Sequence, residues 1–279
     1  MTTPEPEIAA RLQFAMETAG AASAVLMRHF GHLAGIDEKS PVDLVTEADR
    51  ASEALILERL RQAFPEDAVL AEERDGRDGA KAMAARAQEL PWCWAIDPLD
   101  GTTNFAHTHL NFCVSIGVLR FGKPLIGVVQ APARSERFVG VVGAGATCNA
   151  QLIGVSKVET MAKALIGTGF PYDRRQRLPE ILGWLGRALQ RAHCVRRGGS
   201  AALDLCEIAA GRLDGFYEPG LMPWDTAAGS AIVLAAGGTV SGFDGGAHDL
   251  FAANTLASNG RIHAELVDLV AAVDRFDIC

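Results

Sequence analysis

The sequence predicts a mixed α/β fold, with an α+β first half built on an antiparallel sheet and an α/β second half. Three observations carry this. Apolar residues recur at helical spacing over residues 7–30 and again after Thr46; short apolar, strand-like runs crowd residues 68–132; and from about residue 160 strands alternate with helices.

In the first helix the apolar positions are Ile8, Leu12, Phe14, Ala15, Ala22, Val25 and Leu26. Thr46 announces a second helix that continues through Ala51, Leu55, Leu60 and Phe64. Strands are expected at 68–72, 92–97, 112–121 and 125–132, the last two joined by a turn at Gly122-Lys123-Pro124. The second half reads as ALIGTGF, a helix from Pro179 to Ala192, HCVR, a helix from Ser200 to Ala210, DGFY, a helix after Pro223, TLAS and a final helix. The boundary is placed at 1–155 and 156–279. The connection GAGATCNAQLIGVS is Gly-rich but short, so the halves are expected to pack together.

At 279 residues the chain can bury a large core without disulfides. Its apolar residues come in short runs, so no membrane span is expected. The N-terminus has two early glutamates and no basic or long apolar region, which reads as cytoplasmic rather than secreted. The six cysteines show no CxxC pair and are expected to be reduced. A net charge of −8 argues against a nucleic acid or an anionic membrane as partner, because such affinity comes from Lys and Arg neutralising phosphates.

The run Asp97-Pro98-Leu99-Asp100-Gly101-Thr102 is where chemistry is expected. A strand ends at Asp97, Pro98 forbids its continuation, and a helical turn would let Asp97 and Asp100 project to one side. Converging hard oxygens suit Mg²⁺. The following Gly101, Thr102 and Thr103 offer N–H groups and hydroxyls at a helix start, a seat for phosphate. Taken alone, Asp-Pro-x-Asp-Gly is equally an ordinary turn.

DPLDGTTNF at 97–105, together with Pro41–Asp49, Ala71-Glu72-Glu73, Pro223-Trp224-Asp225-Thr226, TGFPYD at 168–173 and YEPG at 217–220, resembles the inositol monophosphatase family of Mg²⁺-dependent, lithium-sensitive phosphatases, over nearly the whole chain. The resemblance implies a layered αβαβα sandwich with the site between the halves. It implies metal ligands at Glu72, Asp97, the Leu99 carbonyl, Asp100 and Asp225, holding two or three Mg²⁺ ions. It implies catalytic roles for Glu72 and Thr102, with Asp49 and Thr46 behind Thr102, and substrate contacts at Gly101, Thr102, Ser200, Ala201, Glu218 and Asp225. Glu38 fills the position of a lysine in animal members, with Lys39 next to it, which is a departure.

The reaction so implied is hydrolysis of a small phosphate monoester, inositol 1-phosphate first, by direct attack of water. Histidinol phosphate, adenosine 3′,5′-bisphosphate and fructose 1,6-bisphosphate are alternatives, and a homodimer is implied. A regulatory or binding protein on the same fold is the rival of another class; the filled ligand positions favour an enzyme. Three other features receive no catalytic role: His107-Thr108-His109 reads as a loop edge, Arg174-Arg175 and Arg196-Arg197 as a solvated basic face, with attraction of a second phosphate on a bisphosphate substrate as the alternative, and AAGSAIVLAAGG as tight helix packing without a dinucleotide loop.

Overall fold

Two helices open the chain, α1 (Pro6–His29) and α2 (Glu47–Ala63), separated by a hairpin of β1 (Ile36–Ser40) and β2 (Asp43–Thr46). The computed structural model describes residues 5–32, 36–40 and 43–271, with the side chains of 36–40, 43 and 44 outside that description. Glu38 and Lys39 therefore sit on β1 by backbone only, and Cys279 lies outside the described residues. The five described cysteines are free thiols.

A seven-stranded sheet follows in the spatial order β3 (Ala68–Ala71), β4 (Cys93–Asp100), β5 (Cys113–Arg120), β6 (Lys123–Ala131), β7 (Glu136–Val141), β8 (Gly145–Cys148) and β9 (Gln151–Ile153). Only its first pair, β3 with β4, is parallel. Helices α3 (Glu72–Ala84) and α4 (Thr102–Ala106) leave the ends of β3 and β4. The second sheet is built from β10 (Leu165–Thr168), β11 (Cys194–Arg196), β12 (Gly215–Pro219), β13 (Thr239–Ser241) and β14 (Asn254–Ser258), in the order β11-β10-β12-β14-β13. Its helices are α5 (Leu178–Arg191), α6 (Ala201–Ala209), α7 (Pro223–Ala235) and α8 (His263–Ala271).

The layers are αβαβα. Leu26, Ile56, Trp94 and Ile116 join α1 and α2 to one face of the large sheet. Val129, Phe138, Leu205, Ile232, Phe216 and Ala257 bury α6 and α7 between the two sheets. Ile166, Trp184, Leu256 and Leu266 join α5 and α8 to the outer face of the small one.

What lets α7 lie so close to the large sheet is a straight ladder of glycines. Gly117, Gly127 and Gly140 pair across β5, β6 and β7. A Cβ on Gly117 would come 2.6 Å from the Ala227 Cβ, one on Gly127 would come 2.0 Å from the Ala228 carbonyl oxygen, and one on Gly140 would come 2.7 Å from the Ile232 Cα. The small residues that read as tight helix packing thus meet a stripe of the sheet that carries no side chains.

Four local expectations are corrected. The 92–97 strand does not stop at Pro98: β4 runs on to Asp100 through a bulge, since Asp97 faces Ser115 while Asp100 faces Cys113. The hairpin after β5 turns on Phe121 and Gly122, both with positive φ, and Pro124 lies within β6. The Gly-rich connection carries β8 and β9, whose small residues hid their pairing, and so belongs mostly to the first sheet. Helix α3 was not anticipated, because its sequence EERDGRDGAKAMA is polar and holds two glycines.

In the connection between β13 and β14, His248 has both ring nitrogens buried without a hydrogen-bond partner among the described residues, and burial pushes it down to about 4. An unfolded histidine titrates near 6.5, so between these values the unfolded chain binds more protons and stability is lost as pH falls.

Two outcomes are expected. Gly127→Ala should cost about 3 kcal/mol of stability by urea unfolding, because the clash is with backbone; a cost under about 1 kcal/mol would contradict the close-approach argument. His248→Phe should remove an acid-induced loss of roughly 3 kcal/mol that develops between about pH 6.5 and 4. Unfolding curves across that range should converge less steeply for the variant, and parallel pH profiles would refute it.

Candidate active site

β3 and β4 run parallel with Ala71 opposite Ile96, so Glu72 and Asp97 emerge side by side at the carboxyl ends of neighbouring strands. Asp100 follows on the same strand. In a regular strand residues three apart face opposite sides. The extra residue of the bulge restores the parity, and both aspartates line one cleft of about 350 Å³ together with Glu72, Asp225 and Glu218. Convergence is achieved by a bulge, where the sequence reading expected a helical turn.

The backbone around the bulge is held on both sides. Ser52 on α2 donates to the Pro98 carbonyl at 2.9 Å, and the Leu99 N–H donates to Asp97 Oδ1 at 2.9 Å. Gly101 then adopts φ 91°, and a Cβ there would stand 2.8 Å from the Asn111 carbonyl oxygen. Glycine is required twice over.

Asp97 is buried, and its carboxyl is pushed well above the usual range by burial first, then by Glu72, Asp100 and Asp225. Asp100 is raised by burial too, against opposing hydrogen bonds: its Oδ2 accepts from the Ser200 hydroxyl at 2.6 Å and from the Ala202 N–H at 2.8 Å. Ser200 is itself the N-cap of α6. Asp225 stands in the first turn of α7, and its Oδ2 accepts from the Met222 N–H at 2.6 Å. It is a cap as well as a cleft residue.

Thr102 opens α4 with its hydroxyl 3.1 Å from Asp49 Oδ1 and 3.0 Å from the Leu99 carbonyl oxygen. Asp49 is fixed from behind, its Oδ2 accepting from the Thr46 N–H at 2.8 Å and the Thr46 hydroxyl at 2.5 Å, within a reciprocal capping box. Burial raises Asp49 to about 6, with the Thr46 contacts pulling it down.

On the second sheet's side, Glu218 comes from β12 and Ser200 and Ala201 from the start of α6. Burial, followed by the charge of Asp204, pushes Glu218 well up, and Arg197 opposes this. All the residues singled out in the sequence for chemistry are placed at or directly behind this cleft. Those facing it carry a donor set of carboxylate and carbonyl oxygens without thiolate or imidazole, which fits Mg²⁺. Among the described residues no three His, Cys, Asp or Glu side chains are drawn together as a ready-made metal cage, and Asp97, Asp100 and Asp225 are instead engaged by the local donors just described.

Sequence reasoning missed three contributors. Glu53 lies four residues after Asp49 on the buried face of α2, where its carboxylate accepts from the Glu73 N–H at 2.8 Å beside Glu72; burial raises it to about 7. Asp204 is buried on α6, where burial and then the charge of Asp100 push its carboxyl well up and the charge of Arg197 opposes this. Asn111 donates to the Gly198 carbonyl at 3.0 Å and accepts from Arg134 at 3.0 Å, tying the 197–200 loop to the large sheet. The i, i+4 spacing of Asp49 and Glu53 was the one available signal.

The sequence profile of the inositol monophosphatase family matches residues 8–275. Over 266 residues the chain is 45% identical to the inositol-1-monophosphatase of Synechocystis sp., covering 95% of this chain and 90% of that protein. It is 39% identical over 225 residues to Nus factor SuhB of Escherichia coli (strain K12), 81% of either chain. The inositol monophosphatase structure from Anabaena (Nostoc) sp. superposes with a TM-score of 0.85 at 38% identity, covering 98% of this chain and all, 100%, of that one. With a match that spans both sheets and every cleft residue named above, the chain belongs to the inositol monophosphatase family.

Proposed function

We propose that this protein hydrolyses phosphate monoesters in a Mg²⁺-dependent reaction, with inositol 1-phosphate as the first substrate to try. The observation that carries the reading is the meeting of Glu72, Asp97, Asp100 and Asp225 in one cleft with Thr102, whose hydroxyl is backed by Asp49. Glu72, Asp97, Asp100, Asp225 and the Leu99 carbonyl would hold two or three ions. Bound Mg²⁺ would offset the carboxylates, polarise the phosphoryl oxygens and make a water acidic enough to attack.

The chain's own part is orientation. Thr102 can give its single hydroxyl proton to Asp49, which leaves its lone pairs toward the cleft to accept from the attacking water. Glu72, on the same side, would take the proton that this water loses. The Gly101 and Thr102 N–H groups would donate to the phosphoryl oxygens, and Ser200 would keep Asp100 aimed. Water forms its bond to phosphorus as the alcohol's oxygen leaves, so no covalent phosphoenzyme is needed. Glu218 and Ala201 would line the space for the alcohol. Lithium inhibition, a homodimer and residence in the cytoplasm belong to the same proposal.

The name of the Escherichia coli relative supports a second reading, action as a Nus factor. The two readings separate cleanly, because a change inside the cleft removes catalysis without altering the surface.

Asp100→Asn is expected to lower kcat by about 10²–10³ while leaving the metal-free protein as stable as before or more so, since a buried carboxylate with a raised pKa is replaced by a neutral isostere. Near-normal turnover in a phosphate-release assay would sink the assignment. Asp225→Asn keeps an acceptor for the Met222 N–H, so the cap survives. Its Mg²⁺ half-saturation should rise by about tenfold or more, and an unchanged Mg²⁺ titration would leave Asp225 as a cap only.

A further inference from the structure

Three polar side chains, Asp49, Ser52 and Glu53, sit on the buried face of α2 among Ala48, Ile56 and Leu60. They span about one helical turn, a rise of about 6 Å, and each reaches a different piece of the cleft. Asp49 accepts from the Thr102 hydroxyl at 3.1 Å, Ser52 donates to the Pro98 carbonyl at 2.9 Å, and Glu53 accepts from the Glu73 N–H at 2.8 Å. The first two brace Thr102 and the bulge that brings Asp97 and Asp100 together. The third buries a carboxylate, which is unfavourable unless it is hydrogen-bonded. What it holds is the peptide that follows Glu72.

The backbone around Glu72 has little support of its own. It follows β3, a four-residue strand at the edge of the large sheet, and opens α3, whose N-cap residue Ala71 offers no side-chain acceptor. Helix α3 buries Ala80 and is broken at Gly76, with φ 57° and ψ −167°. The first N–H groups of a helix have no partners within it, and an acceptor for them ordinarily comes from the N-cap residue. Glu73 is the second residue of α3, and its acceptor comes instead from Glu53 on another helix. Asp75 Oδ2 also accepts from the Ala71 N–H at 2.8 Å, but that contact stays within the β3–α3 segment and moves with it. The Glu53 contact ties the segment to α2, and through α2 to Thr102 and the bulge.

A carboxylate that holds a metal must stand at a set distance from its fellow ligands, and the groups that orient it matter nearly as much as the ligand itself. We propose that Glu53 is a positioning residue for the metal site: by holding the Glu73 N–H from α2 it fixes where Glu72 stands beside Asp97, and so sets the affinity for Mg²⁺. This rests on the Mg²⁺ site of the phosphatase reading above.

The test is a calorimetric Mg²⁺ titration run beside a phosphate-release assay. Glu53→Gln keeps an acceptor oxygen at the same reach and should bind Mg²⁺ within about twofold of wild type. Glu53→Met has similar length and no such acceptor; it should weaken Mg²⁺ binding by about tenfold or more, with KM for the ester at saturating Mg²⁺ unchanged. Glu53→Asp draws the acceptor back by one methylene and should behave as Glu53→Met does, which keeps the test open if Glu53→Met does not fold. Melting temperatures without Mg²⁺ check folding. Lowered melting temperatures with unchanged Mg²⁺ affinity would make Glu53 a helix cap only and overturn the proposal. Losses that multiply when Glu53→Met is combined with Glu72→Gln would overturn it too, because a residue acting through Glu72 should add less than about twofold once Glu72 is changed. Either result leaves the phosphatase reading standing. A wild type without phosphate release would defeat that reading instead, while the Mg²⁺ titrations would still decide this proposal; a wild type that takes up no Mg²⁺ would defeat both.

Discussion

Asp97 is surrounded by Glu72, Asp100 and Asp225 in a buried cleft, and the repulsion among these four carboxylates is what the local scaffold must withstand. Three of the four are placed at helix starts. Glu72 is the first residue of α3, Asp225 stands in the first turn of α7, and Asp100 accepts from the Ala202 N–H at the start of α6. Helix N-termini carry unpaired N–H groups and a partial positive charge, so each holds an acid at reduced cost. Asp97 has no such help beyond the Leu99 N–H, and its carboxyl is the one driven up by all three neighbours.

Those helix starts can meet only because the layers sit close together. Helix α7 packs onto three glycines in register across β5, β6 and β7, and this fixes Asp225 against the carboxyl end of β4. The same helix is anchored where the Ser115 hydroxyl donates to the Trp224 carbonyl at 3.3 Å. Electrostatic need and packing geometry are therefore met by one arrangement: small residues on both surfaces bring a helix start and a strand end together.

The fold class and the Asp97–Thr102 run were legible because their signals are local or compositional, whereas Glu72, Asp225, Glu218, Ser200 and Ala201 were reached only through the family resemblance. Amphipathic spacing exposed α1 and α2, alternation of strand and helix exposed the second half, and the Asp-Pro-Leu-Asp-Gly-Thr run marked the cleft. What stayed hidden depends on pairing. The bulge at Pro98 is a mismatch between β4 and β5, which no single strand reveals. The glycine ladder needs three strands in register before it can be seen. Strands β8 and β9 are short and poor in large apolar residues, and α3 has no side-chain cap from its own N-cap residue and is held by Glu53 accepting from the Glu73 N–H and by Ala80 against Leu70 and Trp224. Glu53 looked like any helix-surface acid until α3 covered it.

The Asp100 contacts tie these levels together. Asp100 belongs to the large sheet, yet its hydrogen bonds come from Ser200 and Ala202, on the helix layer that the small sheet covers. Ser200 in turn accepts from the Leu203 N–H at 3.3 Å, so one hydroxyl both caps α6 and steers the carboxylate. A second tie runs through Arg134, which pairs with Glu207 on α6 while donating to Asn111, whose amide holds the Gly198 carbonyl. Helix α6 is pinned near both ends to the sheet that carries Asp97 and Asp100. The cleft is thus complete only when both sheets are docked on the α6–α7 layer, and the geometry of the carboxylates is set by contacts between layers as much as by the strand that bears them.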